Sequence, residues 1–181
     1  MNNFDVDKCL ESFKILVDSR EQPTPNAKKR YKAFCAPYEI RTLDYGDYAA
    51  TCTLPNGREL LPIGSGKRIK APVVIERKMN LDELAGCFTR GRDRFKREFE
   101  RAAKNGASVY LLVENATWEN LYNGKYRSRF NPVAYTASIT AWMARYDAKV
   151  IMCKAETSGK LIKDILFREL KERLKNVELQ S

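Results

Sequence analysis

The spacing of apolar residues along the chain alternates between short continuous runs and the longer period of helices. Apolar runs that end on charged residues predict buried strands at 14–18, 72–78 and 108–114. Helical spacing predicts long helices at 90–105 and 132–146. Further signals predict a basic helix from Asn26 to about Cys35, strands at 38–43, 46–53, 59–63 and 148–153, a short helix after Asn80, and a final helix at 157–176. Strands that alternate with helices predict an α/β domain with a mixed central sheet flanked by helices.

The predicted elements follow one another without a linker or an internal repeat. We therefore expect a single domain over residues 1–181, with a core of about 14–176 and disorder confined to the first dozen or so residues and the last few. The triplet Pro55-Asn56-Gly57 predicts a hairpin turn into the strand at 59–63. Asn80 followed by Glu83 predicts a capping box at the start of the short helix.

The net charge narrows the class of partner. The chain carries 33 Lys and Arg residues against 23 Asp and Glu residues, a formal charge of +10. Such an excess favours a polyanion, DNA or RNA first and an acidic membrane surface second. No apolar run reaches the length of a membrane span, and the first residues do not form a signal peptide. We therefore expect no membrane insertion and a cytoplasmic location, nuclear if the organism is eukaryotic.

Cysteine and histidine usage excludes several chemistries. The five cysteines are widely scattered without a Cys-x-x-Cys pair, and the chain has no histidine. A structural zinc site is therefore not expected, and the cysteines fit reduced thiols in a reducing compartment. Without histidine, Ser-His-Asp and Cys-His catalysis are excluded. Acid–base or metal chemistry must use carboxylates, lysines and tyrosines.

Three carboxylates, Asp18, Asp47 and Glu76, lie at or near the ends of predicted strands. Carboxylates at strand ends can converge at one edge of a sheet. Mg²⁺ binds a few such oxygens and takes the rest of its shell from water and phosphate. Lys78 follows Glu76 by two positions, so both side chains point to one face of a strand, where the ammonium can orient or help deprotonate an attacking water. This combination is what a metal-dependent nuclease requires.

Each residue also has a simpler explanation. A Glu-x-Lys pair such as Glu76 and Lys78 is commonly a surface salt bridge, Asp82 suits the first turn of a helix, and Asp18 could cap a turn. The combination, with Glu21 and Asp82 nearby in sequence, favours a functional site. The reason is that the acids follow apolar strands, where a solvated charge has no other reason to lie.

These residues also match a known pattern. Gly46-Asp47, then Glu76-Arg77-Lys78, then three residues and Asp82, resembles the Gly-Asp…Glu-Arg-Lys-x-x-x-Asp signature of the XPF/Hef family of structure-specific endonucleases. The segment Asp18-Ser19-Arg20-Glu21 resembles that family's Asp-x-Arg-Glu strand end, and Gly91-Arg92 resembles its Gly-Arg pair. The resemblance spans about residues 14–175.

The resemblance implies a restriction-endonuclease-like fold of the PD-(D/E)xK superfamily, dependence on Mg²⁺ or Mn²⁺, and cleavage of DNA near single-strand/double-strand junctions. By matching positions, Asp47 and Glu76 would bind the metal and Lys78 would serve the nucleophile. The positions that would complete the site are Asp18, as a further metal ligand, with Glu21, Arg77 and Asp82. Family members commonly carry a helix-hairpin-helix module after this domain, and we expect none in this chain. We therefore expect a homodimer or a partner protein to supply targeting.

Several basic residues are candidates for nucleic-acid contact. Arginines recur at helical spacing along 90–105, which predicts a ridge that follows phosphates; alternatively they pair locally with acids on a solvated face. Aromatic and basic residues interleave in the loop 122–130, where the rings could stack on unpaired bases or fold inward. The predicted contacts are Arg20, Arg77, Arg90, Arg92, Arg101, Lys67, Arg68, Lys125 and Arg127.

The sequence therefore predicts a Mg²⁺-dependent DNA endonuclease that hydrolyses phosphodiesters near flap or fork junctions. One alternative is a catalytically silent DNA-binding domain of the same fold that acts as a partner or scaffold. A second alternative is a nuclease of this fold that acts on RNA or on blunt duplex ends. The intact acids and Lys78 favour the active enzyme.

Overall fold

A computed structural model of the protein describes residues 3–61 and 68–176. Its strands are β1 (Lys14–Asp18), β2 (Tyr38–Arg41), β3 (Tyr48–Thr51), β4 (Val73–Lys78), β5 (Ser108–Glu114) and β6 (Lys149–Cys153). Its helices are α1 (Asn3–Glu11), α2 (Pro25–Ala33), α3 (Leu81–Phe88), α4 (Arg92–Lys104), α5 (Trp118–Tyr122), α6 (Pro132–Tyr146) and α7 (Ala155–Asn176). Lys67, a predicted nucleic-acid contact, and the end of the predicted strand at 59–63 lie outside the described residues.

The six strands form one sheet in the order β2-β1-β3-β4-β5-β6. β1 pairs in parallel with β2, and β4, β5 and β6 run parallel to one another. β3 lies antiparallel between β1 and β4. This arrangement confirms the predicted α/β fold with a mixed central sheet flanked by helices.

The two faces of the sheet bury separate hydrophobic clusters, because successive side chains of a strand point to opposite faces. On β4, Val74 packs in the cluster that α3, α4 and α6 cover, whereas Val73 and Ile75 pack in the cluster beneath α1, α2 and α7. We call these the α4 face and the α7 face. The α4 face is rich in aromatic contacts, with Phe95 stacked on Trp142 at a centroid distance of 6.1 Å.

The local sequence explains most element boundaries. Asn80 caps α3 through its side-chain oxygen, which accepts the N–H of Glu83, and the Glu83 carboxylate accepts the N–H of Met79. The predicted cap at Asn80 is confirmed, but the Glu83 carboxylate accepts the N–H of Met79 rather than that of Asn80, as a capping box would require. α2 begins two residues earlier than a cap at Asn26 predicts, because the hydroxyl of Thr24 caps it by accepting the N–H of Ala27.

Two predictions of local structure were wrong. Asn3–Glu11 is a helix rather than a disordered segment, because Val6 and Cys9 pack beneath α7. The strand predicted at 59–63 is not formed in its described part, although the predicted turn at Pro55-Asn56-Gly57 is confirmed by the antiparallel bridge between Thr53 and Glu59. In the portion of the chain that the structure describes, no helix has the length and apolar character needed to cross a membrane.

The antiparallel placement of β3 assembles the candidate site. The start of β3 meets the carboxyl ends of β1 and β4, because β3 runs opposite to both. The N–H of Asp18 donates to the carbonyl of Asp47 at 2.8 Å, and the N–H of Asp47 donates to the carbonyl of Ile75 at 2.8 Å. The predicted strand-end carboxylates therefore lie at one edge of the sheet.

Candidate active site

Asp47, Glu76 and Lys78 form a charged group on the α4 face, in which Asp47 is partly buried and the other two are buried. Glu76 and Lys78 are 4% and 8% exposed. The Lys78 Nζ donates to the Glu76 Oε1 at 2.5 Å, and the N–H of Arg77 donates to the Asp47 Oδ2 at 2.7 Å. The second carboxylate oxygen of Glu76 is buried and has no hydrogen-bond partner among the described residues. The three side chains therefore leave one acceptor unsatisfied.

The electrostatics of this group favour binding of a further cation. Burial raises the pKa of Asp47 well above its usual value, and the charge of Glu76 raises it further. Burial also raises the pKa of Glu76, against the opposing charge of Lys78. Burial alone would lower the pKa of Lys78, but the charges of Glu76 and Asp47 raise it above its usual value. One ammonium thus faces two desolvated carboxylates, and a cation between them would favour their ionised forms.

The donor set fits a hard divalent cation. The described residues contain no group of three or more acidic or cysteine side chains placed to share one ion. Two carboxylates are nevertheless enough for Mg²⁺, which keeps several waters and takes further oxygens from phosphate. A cation would supply the missing partner of the buried Glu76 Oε2. Asp47 and Glu76 are therefore the residues that would hold it.

Gly46 allows the turn before β3 to approach β4. Its φ is +73°, and a Cβ at this position would lie 2.6 Å from the Cβ of Val74. Only glycine fits both the left-handed conformation and this close approach. The N–H of Gly46 donates to the Oε1 of Glu98 on α4 at 3.2 Å. The glycine of the Gly-Asp pair therefore positions Asp47 through the backbone.

A cavity of about 180 Å³ opens over this group on the α4 face. The residues around it that bear on the site are Glu76, Lys78, Gly86, Arg94, Phe95 and Glu98. We call it the catalytic cavity. Phe95 lies beneath the Lys78 ammonium, with 5.4 Å between the Nζ and the ring centroid. The aromatic ring and the surrounding helices exclude water from one side of the charged group, which strengthens its electrostatic interactions.

Glu98 is a site residue that sequence reasoning missed. Its carboxylate lines the catalytic cavity and raises the pKa of Glu76. A local pair with Arg94 was one interpretation, but the described structure contains no such pair and Glu98 binds Gly46 instead. Its position on the polar face of α4 was the available signal, and the contact with Gly46 depends on how α4 docks.

The structure gives Asp18 an anchoring environment. Its side chain is 1% exposed. Oδ1 accepts the backbone N–H of Arg20 at 2.7 Å and its Nε–H at 2.9 Å, and Oδ2 accepts the Arg20 Nη2 and the N–H of Leu43 at 2.6 and 3.2 Å. Both oxygens are thus engaged by donors. This favours a role in fixing the end of β1 over metal ligation, while the half-exposed Arg20 guanidinium can still face a phosphate.

Arg77 and Glu21 lie on the α7 face, opposite Glu76 and Lys78. Arg77 Nη1 donates to the Glu114 Oε2 at 3.1 Å, and its Nε lies 4.0 Å from the Glu21 Oε2. Tyr48 donates to Glu21 at 3.0 Å, and Arg30 Nε donates to Glu114 at 2.8 Å. We call these five residues the α7-face ion network. Arg77 and Glu21 therefore support the site from behind the sheet, with the backbone N–H of Arg77 holding Asp47.

Comparison with known proteins identifies the family of the chain. The model of the ERCC4 domain matches residues 17–165, most of the chain. The chain belongs to the ERCC4 domain family.

Solved structures match the fold of this ERCC4 domain. XPF from Aeropyrum pernix has 19% sequence identity and a TM-score of 0.56, and the match covers 91% of this chain and 62% of that one. A structure of XPF from Aeropyrum pernix in complex with DNA has 16% identity and a TM-score of 0.55, with 93% and 68% covered. The chain thus spans about two thirds of the length of these proteins. A search among curated proteins found no match. The predicted resemblance to the XPF/Hef nuclease domain and the restriction-endonuclease-like fold is confirmed.

Three predicted DNA contacts of the ERCC4 domain have partners within the protein. Arg101 Nη2 donates to the carbonyl of Asp44 at 3.1 Å, and its Nε lies 3.7 Å from the Asp44 carboxylate. Arg68 lies 3.8 Å from the same carboxylate. The Arg92 guanidinium lies over the ring of Trp142, 5.6 Å from its centroid. These contacts give Arg101 and Arg92 a role in holding α4, and their roles toward DNA stay predictions.

The loop 122–130 sorts its side chains between core and surface. Tyr126 and Phe130 pack on Tyr135 with centroid distances of 5.4 and 4.9 Å, so these rings fold inward rather than toward bases. Lys125 and Arg127 are exposed. Asp82 binds this loop rather than the charged group at the strand ends.

Proposed function

We propose that this ERCC4 domain is a metal-dependent DNA endonuclease that hydrolyses phosphodiesters near flap or fork junctions, with Mg²⁺ as its cofactor and Mn²⁺ as a substitute. The observation that carries the proposal is the charged group at the strand ends. There, the unpartnered oxygen of Glu76 adjoins Asp47, and Lys78 shares the same face. The structural relatives, XPF alone and XPF in complex with DNA, support DNA as the substrate.

The residues divide the chemistry between them. When bound, a divalent cation supplies charge stabilisation at the phosphate and lowers the pKa of water. Asp47 and Glu76 hold it through carboxylates that β3 and β4 fix in place. Lys78, kept protonated by those carboxylates, presents a positive charge to the phosphate and can orient the attacking water. Arg94, exposed at the cavity wall, can bind a neighbouring phosphate oxygen.

Cleavage assays with a set of labelled DNAs test the proposal. Flaps, forks, single strands and plain duplex are incubated with Mg²⁺, Mn²⁺ or EDTA, with the Asp47→Asn variant in parallel. We expect cutting near the junction that requires the metal and is lost in the variant. DNA binding without cutting in every metal would instead indicate the silent domain. Cutting of RNA alone, or of blunt duplex ends alone, would show that this is the substrate instead of a DNA junction.

Divalent cations should also stabilise the protein in the absence of DNA. At a Mg²⁺ concentration about tenfold above its Kd, linkage predicts about 1.4 kcal/mol, or about 3–6 °C in Tm for a chain of this size. Both carboxylates have raised pKa values in the folded protein. Without a cation they therefore favour folding at low pH, and this contribution is lost as the pH rises through the folded pKa values. Protons compete with the cation, so the gain in Tm should be larger at pH 8 than at pH 5.

Thermal unfolding with Mg²⁺, against KCl of equal ionic strength, measures this effect. Asp47→Asn keeps an acceptor for the N–H of Arg77 but removes the charge. It should show no cation-dependent gain, with a Tm in EDTA at least equal to that of the parent protein. An equal gain in the variant would remove Asp47 from the cation site.

Targeting and location complete the proposal. Junction choice would come from a homodimer or from a partner protein. A reducing cytoplasmic or nuclear location fits the five cysteines, which form no disulfide in the described structure. Sedimentation of the protein alone and with junction DNA distinguishes self-association from dependence on a partner.

A further inference from the structure

A second cleft lies beside the catalytic cavity. It has a volume of about 700 Å³, and the residues that form it are Asp82, Gly86, Thr89, Arg90, Arg127, Ser128 and Arg129. We call it the arginine cleft. Gly86 of α3 lines both the arginine cleft and the catalytic cavity. A Cβ at Gly86 would meet no atom within 4 Å, so the surface that joins the two is open at this residue. A nucleic-acid strand that occupies one can therefore continue into the other.

Asp82 holds the loop that forms the far wall of the cleft. Its Oδ1 accepts the backbone N–H groups of Arg127 and Ser128 at 2.8 and 2.7 Å, and its Oδ2 lies 3.5 Å from the Arg127 Nε. The flanking ring of Tyr126 is fixed as well, since its hydroxyl donates to the carbonyl of Phe130 at 2.7 Å. The middle of the loop is thus bound to α3 through Asp82, and its flanking residues Tyr126 and Phe130 pack in the core.

This anchoring leaves three arginines around an open cleft with one carboxylate. Arg127 is 89% exposed, although it pairs with Asp82. Arg90 and Arg129 are exposed and make no ion pair with any residue that the structure describes. Guanidinium groups bind phosphate oxygens in a bidentate manner and, unlike ammonium groups, present several donors in a fixed plane. The cleft therefore has the charge and the donors of a phosphate site.

We propose that the arginine cleft binds a backbone phosphate of the DNA strand that enters the catalytic cavity, and that Asp82 is the positioning residue of this phosphate site. The inference rests on the proposed function, because the strand in the cleft is the one to be cut. It assigns Asp82 to the loop rather than to the reacting atoms. Arg90 and Arg129 contact the phosphate directly, and the backbone bonds of Asp82 keep Arg127 and Arg129 facing it.

Binding of a labelled fork DNA in EDTA, measured over a range of KCl concentrations, tests the cleft without requiring catalysis. Arg90→Ala/Arg129→Ala should weaken binding about tenfold, because an exposed ion pair contributes a factor of about 2–5. The slope of log Kd against log [KCl] should fall by about 1–2. Lys160→Ala/Arg168→Ala removes the same charge from exposed positions of α7 and should change neither quantity as much. Equal losses of affinity in the two double variants would overturn the proposal.

Two variants of equal charge isolate the role of Asp82. Asp82→Asn retains an oxygen for both loop N–H groups, whereas Asp82→Ala removes it. We expect Asp82→Ala to bind the fork about fivefold more weakly than Asp82→Asn, the effect of one additional disordered residue. The loss of cleavage in Asp82→Ala with Mg²⁺ should be larger at subsaturating than at saturating DNA, because a positioning role acts through affinity. Asp82→Asn that binds normally but does not cleave would place Asp82 at the reacting centre and overturn its positioning role.

The outcomes separate this inference from the proposed function. If the parent protein cuts no DNA, but the cleft variants still lose affinity and salt dependence, the phosphate site is retained and the endonuclease proposal fails. If the parent cuts DNA and the cleft variants bind as the α7 control does, the endonuclease is retained and the phosphate site fails. Inorganic phosphate serves as a competitor. Phosphate that occupies the cleft should weaken fork binding by the α7 control more than by the arginine variant. If millimolar phosphate weakens fork binding by both proteins equally, the cleft does not bind a phosphate of the strand.

Discussion

Replacement of Glu76 by Gln should reduce single-turnover cleavage about 10³-fold while the Kd for DNA changes less than about threefold. A thousandfold loss corresponds to about 4 kcal/mol of transition-state stabilisation, within the range expected for a metal-assisted reaction. Gln has nearly the same volume and still offers an oxygen to the Lys78 Nζ, so the packing on Phe95 is kept. What is lost is the charge that, with Asp47, would hold the cation.

Rapid-quench assays at saturating enzyme, with fluorescence anisotropy for binding, measure the two quantities separately. Glu169→Gln is the matched control, because Glu169 also pairs with a lysine, Lys149, at 3.1 Å, but on the α7 face. It should cleave at the rate of the parent protein. Cleavage by Glu76→Gln within tenfold of that rate would exclude Glu76 from the mechanism, and a parallel loss of DNA binding would indicate a structural role.

The parts of the site that depend on strand periodicity could be predicted from the sequence. A period of two places Glu76 and Lys78 on one face of β4 and Arg77 on the other, and the structure shows this division. Elements with strong local signals were also predicted closely. The strand at 108–114 and the helix at 132–146 coincide with β5 and α6.

The parts that depend on how elements dock could not be predicted. The apolar face of α4 was evident, but its polar face could have pointed to solvent, to DNA or to the sheet. Packing of Phe95 and Phe99 around Trp142 turns Glu98 toward Gly46 and Arg101 toward Asp44. Glu98 and Arg101, which lie in the helix predicted to carry the basic ridge, therefore bind the turn before β3 instead of facing DNA. No local pattern carries this information, because it is set by the angle between a helix and a sheet.

The environment of Asp18 illustrates the same limit. A carboxylate at a strand end signals a functional position, yet the identity of its partner depends on the neighbouring loop. In the structure, Arg20 folds back onto Asp18 and the N–H of Leu43 completes its shell. Asp47 and Glu76 have fewer internal donors, and only Glu76 keeps a buried oxygen without a partner in the described structure. Internal satisfaction of hydrogen bonds thus distinguishes carboxylates that anchor from those that can bind a cation.

Replacement of Arg30 by Met should destabilise the protein by about 3–5 kcal/mol, the effect of leaving a buried charge without its partner. For a chain of this size the loss corresponds to a fall in Tm of about 10 °C. Arg30 is 5% exposed at its side chain, and it binds the Glu114 carboxylate at 2.8 Å and the Tyr48 hydroxyl at 3.1 Å. Without it, Glu114 keeps a hydrogen bond with Ser158 and the charge of Arg77, which also neighbours Glu21.

Urea unfolding of the parent, Arg30→Met, Glu114→Gln and the double variant measures the coupling free energy in a double-mutant cycle. The double variant should be more stable than Arg30→Met, because it removes the unpaired charge as well as its partner. Lys14→Met, which breaks the half-exposed pair with Glu39, is the control and should lose less than about 1 kcal/mol. If Arg30→Met also loses less than about 1 kcal/mol of stability, water replaces the guanidinium as the partner of Glu114.

The pH dependence of this loss identifies its origin. Burial alone would raise the pKa of Glu114, but its hydrogen bonds with Arg30 lower it below the usual value. A lowered pKa contributes stability that is fully present above the unfolded value of about 4.3 and is lost as the pH falls through the folded value. The difference in stability between the parent protein and Arg30→Met should therefore narrow on acidification below about pH 4.3. Because the backbone N–H of Arg77 holds Asp47, the same variant should also show a smaller gain in Tm with Mg²⁺ at pH 8. An unchanged gain would show that the α7-face ion network supports the fold without positioning the cation site.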